Sequence, residues 1–271
     1  MGVSILPEVP ECVQEVVKEA AKPSAHELGT LFSDLLYIKA ANIHLSADKK
    51  RAEHEYKLAQ FKKELIDTVE AKPPERLVEP KMQVIGPSLN QAKYCLDEPL
   101  IREMFKNLIA NAADTKYQSC VHPSFSAIIM QLSPLDAENL ILFKESSTQP
   151  IVQYRYKRGQ GYVTAATNWF MSNPKMKSDE EMQLQMNSIA SLCRQGLVEV
   201  SYDHFLTDES QYEQFNETSI IKLMKKEVSQ VPPDGLKFPR DERLVHGAEF
   251  KKGLATLTPL GKSFIEVCFE S

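Results

Sequence analysis

The sequence predicts a mainly α-helical protein with a smaller α+β part, an N-terminal helical bundle followed by a winged-helix-like C-terminal domain. Two patterns predict this. Apolar residues recur at three- and four-residue steps through most of residues 1–146, as in amphipathic helices. Alternating apolar and polar residues then appear between the helical segments of residues 147–271, as in strands. We therefore expect two domains, with the boundary between residues 146 and 147.

Capping signals and apolar stripes place the helices of the first half. Ser24 and Glu27 have the spacing of a capping box, and an apolar stripe follows them. A second stripe covers residues 58–69 and stops at a Pro-Pro pair. The strongest helical pattern covers residues 100–112, with Asp97 as its expected N-cap.

Two shorter helices are expected before the domain boundary. Ser124 is the expected N-cap of the first. Ser133 is the expected N-cap of the second, with Asp136 in the capping-box position and a proline between them. Short connections between these helices favour a compact bundle.

The second half alternates between strand and helix patterns. Residues 151–157 and 162–167 alternate around an RGQG turn, which predicts a hairpin. Ser178 and Glu181 mark the start of a helix that we expect to stop at Gly196. The strands and helices expected after that glycine are a strand at 197–202, a helix at 220–228, a strand at 254–258 and a last helix from Thr258-Pro259.

The composition is that of a protein with an apolar core and little charge bias. Of 271 residues, 42% are hydrophobic and 25% are charged, and the formal net charge is −5. This balance argues against a chain coated in nucleic acid, although a local basic patch can still bind one. No window is apolar enough to span a bilayer, so we expect a cytoplasmic protein that must assemble before it acts on a membrane.

Known catalytic and metal-binding patterns are missing. The five cysteines have no CxxC spacing, and the sequence has no P-loop, GxSxG or HExxH pattern. We therefore expect no enzymatic activity, no catalytic residue, no cofactor and no metal site.

The first candidate site lies on the helix predicted at residues 100–112 and in the loop after it. Cationic and amide side chains follow each other at helical spacing there, and such groups together can bind a phosphate or the edge of a base. A solvated helix face is the alternative explanation. The candidate ligand-binding residues are Arg102, Lys106, Asn107, Asn111 and His122.

The second candidate site belongs to the C-terminal half. A helix, a glycine stop and two strands are similar to a winged helix, whose recognition helix enters the major groove of DNA. This half has 15 basic and 16 acidic residues, which favours a docking surface over a DNA reader. The candidate nucleic-acid-binding residues are Arg194, Lys222, Lys225, Lys226, Lys251 and Lys252.

Several motifs resemble a known family, the Abi-alpha (abortive infection alpha) family of bacteria. The motifs are HELGTLF, PPERLVEP, EPLIREMFKNLIANAAD and VHPSFSAIIMQLSPLDAENL, within residues 24–145. The resemblance implies a mostly helical module associated with anti-phage defence and supplies no catalytic residue. It further implies that the C-terminal half, ending in LTPLGKSFIEVC, is the variable part that sets specificity.

The residues and the resemblance together suggest a non-enzymatic effector or regulator of anti-phage defence. We expect a homo-oligomer that is held inactive by a bound nucleotide or oligonucleotide, or by a partner. A phage or host protein sensed by the C-terminal domain is a further expected partner. The alternative is a transcriptional regulator that binds DNA through its winged-helix-like C-terminal domain.

Overall fold

A computed structural model describes residues 24–40, 48–170, 179–230, 236–238 and 241–270. Most of these residues are helical, as the sequence predicts, and the rest include a small antiparallel sheet. The helices are α1 (Ala25–Ala40), α2 (Asp48–Glu70), α3 (Met82–Ala92), α4 (Pro99–Ala112), α5 (Phe125–Gln131), α6 (Pro134–Glu145), α7 (Asp179–Arg194), α8 (Ser210–Glu213), α9 (Ser219–Ser229) and α10 (Pro259–Phe269). The strands are β1 (Thr148–Arg158), β2 (Gly161–Phe170), β3 (Val198–Ser201), β4 (Leu236–Phe238) and β5 (Asp241–Leu257).

Two of the predicted capping boxes are present. The Glu27 N–H donates to Oγ of Ser24 at 3.2 Å, and the Ser24 N–H donates to the Glu27 carboxylate at 2.7 Å. Ser133 and Asp136 make the same reciprocal pair at the start of α6. Each pair satisfies two amides that have no partner within the helix. The predicted pair Ser178–Glu181 cannot be compared, because Ser178 lies outside the described residues.

Two predicted caps are wrong in detail. The N-cap of α4 is Glu98 without a side-chain hydrogen bond, and the Asp97 carboxylate is instead paired with the Lys57 ammonium. Ser124 occupies the N-cap position of α5 but does not cap through its side chain. Its hydroxyl lies 2.7 Å from Nδ1 of His122. In both cases the polar side chain that was predicted to cap the helix pairs with another side chain instead.

Helix α4 is central to the helical part. It contacts α2, α3, α5, α6 and α10, and its residues include nine that are buried. The stripe predicted at residues 58–69 of α2 is buried against it, with Phe61 and Leu65 fully inaccessible. A helix enclosed by neighbours must bury polar side chains as well as apolar ones, and these need partners. Asn107 and Asn111 are the buried polar side chains of α4.

The sheet begins with the predicted hairpin of β1 and β2. On its other side β1 pairs antiparallel with β5, which also pairs with β3 and β4, so the order is β2-β1-β5-β3. β5 is 17 residues long and begins at Asp241, well before the strand predicted at 254–258. Its first part contains few large apolar residues, and pairing with β4 at residues 241–245 and with β1 at residues 245–256 compensates for the weak apolar signal. The winged-helix topology stays a prediction.

A glycine turn and a threonine cap join the sheet to the last helix. Gly196 has φ +73°, the left-handed conformation that ends α7 as predicted. Thr258 caps α10 by accepting the Gly261 N–H at 2.9 Å, and its hydroxyl donates to the Gly196 carbonyl. The start of α10 is therefore fixed against the turn that precedes β3.

Buried apolar side chains form two clusters. The larger one contains residues from both sides of position 146, such as Phe125 and Phe264, whose rings meet edge to face at 5.2 Å between centroids. The smaller one lies between β1 and the segment that contains α8 and α9. The division into domains 1–146 and 147–271 stays a prediction, and α10 packs on α4 across it.

Candidate functional site

A buried group of ionic and amide side chains lies at the carboxyl ends of α2 and α4. The Lys72 ammonium donates to Oδ1 of Asn111 at 2.7 Å and to Oδ2 of Asp114 at 3.2 Å. The Arg76 guanidinium makes a two-pronged contact with the same carboxylate, through Nε at 3.0 Å and Nη2 at 2.5 Å. Asp114 and Asn111 are fully buried, Lys72 is nearly so, and Arg76 is half-buried.

Local sequence explains why these side chains meet. Pro73 and Pro74 lie shortly after α2, which ends at Glu70, and they start a short 3-10 turn, Pro74–Arg76, which aims Arg76 back at α4. Beyond that turn the Val78 N–H donates to the Ala113 carbonyl at 3.0 Å, which aligns the segment with the end of α4. Asp114 caps the next turn by accepting the Lys116 N–H at 2.9 Å.

The environment shifts the acid–base equilibria of this group. Burial lowers the pKa of Lys72, although the nearby Asp114 carboxylate acts in the opposite direction. Burial alone would raise the pKa of Asp114, but hydrogen bonds from Arg76, from the Lys116 N–H and from Lys72 hold that pKa below its ordinary value. Asp114 is therefore ionised at neutral pH.

An open cleft of about 420 Å³ lies in front of Lys72 and Arg76. Lys106 of α4 lies on its wall, where its ammonium is 2.7 Å from Oε1 of Glu103. We call this feature the basic cleft. Its lining residues are Asp67, Thr68, Ala71, Lys72, Pro73, Arg76 and Lys106.

The structure separates the five residues of the first candidate site. Lys106 lines the basic cleft, whereas Asn111 lies behind it and accepts a hydrogen bond from Lys72, which lines it. Arg102 points to α2, with Nη2 3.9 Å from Oε1 of Glu64. His122 is exposed in the loop before α5, where Nδ1 accepts the Ser124 N–H at 3.2 Å.

The two asparagines hold the end of α10. The Nδ2 group of Asn107 donates to the Cys268 carbonyl at 3.1 Å. The Nδ2 group of Asn111 donates to the carbonyls of Val267 and Glu270, both at 2.8 Å. Carbonyls at the end of a helix accept no hydrogen bond from within that helix. The side-chain amides of α4 supply the missing donors here.

The second candidate set is spread over three elements. Arg194 is exposed in the last turn of α7. Lys251 and Lys252 are successive residues of β5, so their side chains leave opposite faces of the sheet. Lys252 is paired with Glu209, and Lys251 lies 6.0 Å from the ring centroid of Tyr202.

The remaining three lysines lie together on the exposed side of α9. Lys222, Lys225 and Lys226 are all exposed, while the neighbouring Ile221 and Met224 face the core. Lys222 is 2.7 Å from Oε2 of Glu217.

Lys72, Arg76 and Asp114 are not among the site residues predicted from the sequence. Lys72 and Arg76 precede Asp114 by 42 and 38 residues, so no local spacing relates them. The available signal was the motif pair itself, since PPERLVEP contains Arg76 and EPLIREMFKNLIANAAD ends in Asp114. Each of the two motifs carries a charged residue, and the packing of the two segments brings these residues together.

The comparison with protein families settles which family this is. Residues 53–268 match the family model described as abortive infection alpha, which is most of the chain. The chain belongs to the abortive infection alpha family. That membership suggests a role in abortive infection, a form of phage defence. The match starts after the HELGTLF motif and continues through the C-terminal half, so the family likeness is not confined to residues 24–145.

No curated protein and no solved structure matches this abortive infection alpha protein. Within the described ranges, no three or more His, Cys, Asp or Glu side chains are grouped as a metal ion would need. None of the helices in those ranges combines the length and the apolar character needed to cross a membrane.

Proposed function

We propose that this protein is a non-enzymatic effector or regulator of abortive infection, controlled by a phosphorylated ligand that binds in the basic cleft. Family membership supports the biological role. The observation that supports a phosphorylated ligand is that two cations, Lys72 and Arg76, share the single carboxylate of Asp114. Two cations on one anion leave one positive charge uncompensated within this hydrogen-bonded group.

The basic cleft offers hydrogen-bond donors as well as charge. An ammonium has three donors, and Lys72 directs two of them at Asn111 and Asp114. A guanidinium has five donors, and Arg76 directs two of its nitrogens at Asp114. Lys106, which also lines the cleft, adds a second ammonium. Phosphate oxygens suit such donors, since charge-assisted hydrogen bonds are roughly twice as strong as neutral ones.

Replacing Lys106 with glutamine is expected to weaken phosphate binding at least about tenfold, because one charge-assisted hydrogen bond contributes about 1.5–3 kcal/mol. Calorimetric titration with pyrophosphate, ATP and a 5′-phosphorylated oligonucleotide measures the effect. Binding of ATP without the oligonucleotide identifies a nucleotide ligand, and the reverse identifies an oligonucleotide.

Lys57→Gln is the matched control for Lys106→Gln. Lys57 is also paired with a carboxylate, that of Asp97, but lies outside the basic cleft. The K57Q protein is expected to bind pyrophosphate, ATP and the oligonucleotide with the affinities of the wild type. Equal affinities of the wild type and K106Q, or no binding by the wild type, would remove the basis of the proposal.

Assembly into a homo-oligomer is part of the same proposal. Partly exposed apolar side chains on packed helices, Ile141 on α6 and Leu184 on α7, supply contact area for a second copy. We further propose that the protein acts in the cytoplasm, senses a phage or host protein through its C-terminal half, and reaches a membrane only after assembly.

A DNA-binding transcriptional regulator is the second candidate function, favoured by the three exposed lysines of α9. Under this alternative, the double change Lys225→Gln and Lys226→Gln is expected to weaken duplex binding and to reduce the salt-dependence slope by about 2. Fluorescence anisotropy with a labelled duplex at several salt concentrations measures both quantities. K106Q is the control, and absence of duplex binding at low salt would eliminate the regulator.

A further inference from the structure

Lys72 connects the basic cleft to the end of the last helix. Lys72 is one of the residues that line the cleft, and its ammonium donates to Oδ1 of Asn111 at 2.7 Å. The other end of the same amide donates to the carbonyls of Val267 and Glu270, both at 2.8 Å. An amide group is planar, so whatever fixes its oxygen also fixes the direction of its two N–H donors.

The two asparagines of α4 differ in one respect. Asn107 and Asn111 both donate to carbonyls at the end of α10, and both are buried. Of the two, Asn111 contacts Lys72, while the amide oxygen of Asn107 has no hydrogen-bond partner among the described residues. The two amides therefore hold the same end of α10. Of the two, Asn111 is the one that links this helix end to Lys72 and so to the basic cleft.

We infer that ligand binding in the basic cleft is transmitted through Lys72 and Asn111 to the last turn of α10, which it stabilises. This regulation rests on the proposed function, because it needs the phosphorylated ligand to bind. A ligand oxygen that takes the third donor of Lys72 restrains the ammonium in its present position. The restrained ammonium holds the Asn111 amide in the orientation in which it satisfies the helix end.

The coupling has a thermodynamic consequence in both directions. If the ligand stabilises the last turn of α10, then an ordered last turn must raise the affinity for the ligand by the same factor. Typical couplings of this kind are about 5- to 150-fold. A partner that binds the end of α10 would accordingly change ligand affinity at the cleft, which makes this helix end the output of the site.

Hydrogen exchange of the full chain, with and without saturating pyrophosphate, tests the inference. Exchange is expected to slow by at least about fivefold in peptides that cover residues 264–270. Calorimetry on the same sample measures pyrophosphate binding separately. Binding without a change at residues 264–270 would overturn the coupling and leave the proposed function intact, whereas absence of binding would overturn both.

Asn111→Leu and Asn107→Leu form the matched pair of variants. Each removes an amide that holds the end of α10, but N111L also removes the contact with Lys72. The ligand-dependent protection at residues 264–270 is expected to persist in N107L and to disappear in N111L. Equal protection in both variants would contradict the route through Asn111. If N111L does not fold, the wild-type comparison alone decides the inference.

Discussion

Replacing Asp114 with asparagine is expected to lower the free energy of unfolding by about 3–5 kcal/mol. The carboxylate is fully buried and is the shared anion of Lys72 and Arg76. Without it, Lys72 retains the hydrogen bond to Asn111 but remains a buried cation without a counter-charge. Urea denaturation followed by circular dichroism measures the loss.

Asp97→Asn is the control for this substitution. Asp97 also pairs with a lysine, Lys57, but its side chain is 75% exposed. Its replacement is expected to change the free energy of unfolding by less than about 1 kcal/mol, because exposed ion pairs contribute little. Similar small losses in D114N and D97N would show that the buried group does not stabilise the fold.

The difference between the wild type and D114N is also expected to depend on pH. The pKa of Asp114 in the folded chain is below 3.8, its ordinary value, so the unfolded carboxyl takes up its proton first as the pH falls. The stability that this carboxylate adds is thus complete above about pH 5 and is lost as the pH falls through 3.8 toward the folded pKa. If the difference in free energy of unfolding between the wild type and D114N stayed constant from pH 6 to pH 3, the lowered pKa of Asp114 would be contradicted.

Replacing Gly261 with alanine is expected to destabilise the protein by about 3 kcal/mol or more, at the upper end of the range for overpacking. A Cβ at this position would lie 2.0 Å from the Leu197 carbonyl oxygen, which is backbone and cannot rotate away. The start of α10 would have to move, and with it the Thr258 hydrogen bonds to Gly196 and Gly261. Thermal unfolding measures the effect.

Gly29→Ala is the matched control within α1. A Cβ there would meet the Ile66 side chain at 3.4 Å, an ordinary van der Waals contact. Since alanine is favoured over glycine within a helix by about 0.5–1 kcal/mol, G29A is expected to be as stable as the wild type or slightly more so. A G261A protein that unfolds at the wild-type temperature would show that α10 does not approach Leu197 this closely.

Local pattern predicted the elements whose signals lie within a few residues of each other. The capping boxes at Ser24 and Ser133, the hairpin of β1 and β2, the Gly196 stop and the start of α10 all depend on short-range chemistry. β5 was largely missed because its first part is ordered by pairing with β4 and β1, which are distant in sequence, rather than by a local apolar pattern.

The candidate site was predicted less completely than the fold, for the same physical reason. Helical spacing grouped Lys106, Asn107 and Asn111 as candidate ligand-binding residues, but it could not show that the two asparagine amides face the end of α10. Asn107 and Asn111 bond to carbonyls more than 150 residues away in sequence. Only the packing of α10 on α4 reveals those partners, and only the fold brings Arg76 to Asp114.

Native mass spectrometry of the full chain, before and after adding pyrophosphate, tests whether a phosphorylated ligand binds to an oligomer of this protein. The absorbance ratio at 260 and 280 nm of the same sample shows whether a nucleotide copurifies. We expect multiples of the chain mass in which each copy carries one pyrophosphate, and loss of that adduct in K106Q. Bare protein at millimolar pyrophosphate, or an adduct that K106Q retains in full, would contradict ligand control through the basic cleft.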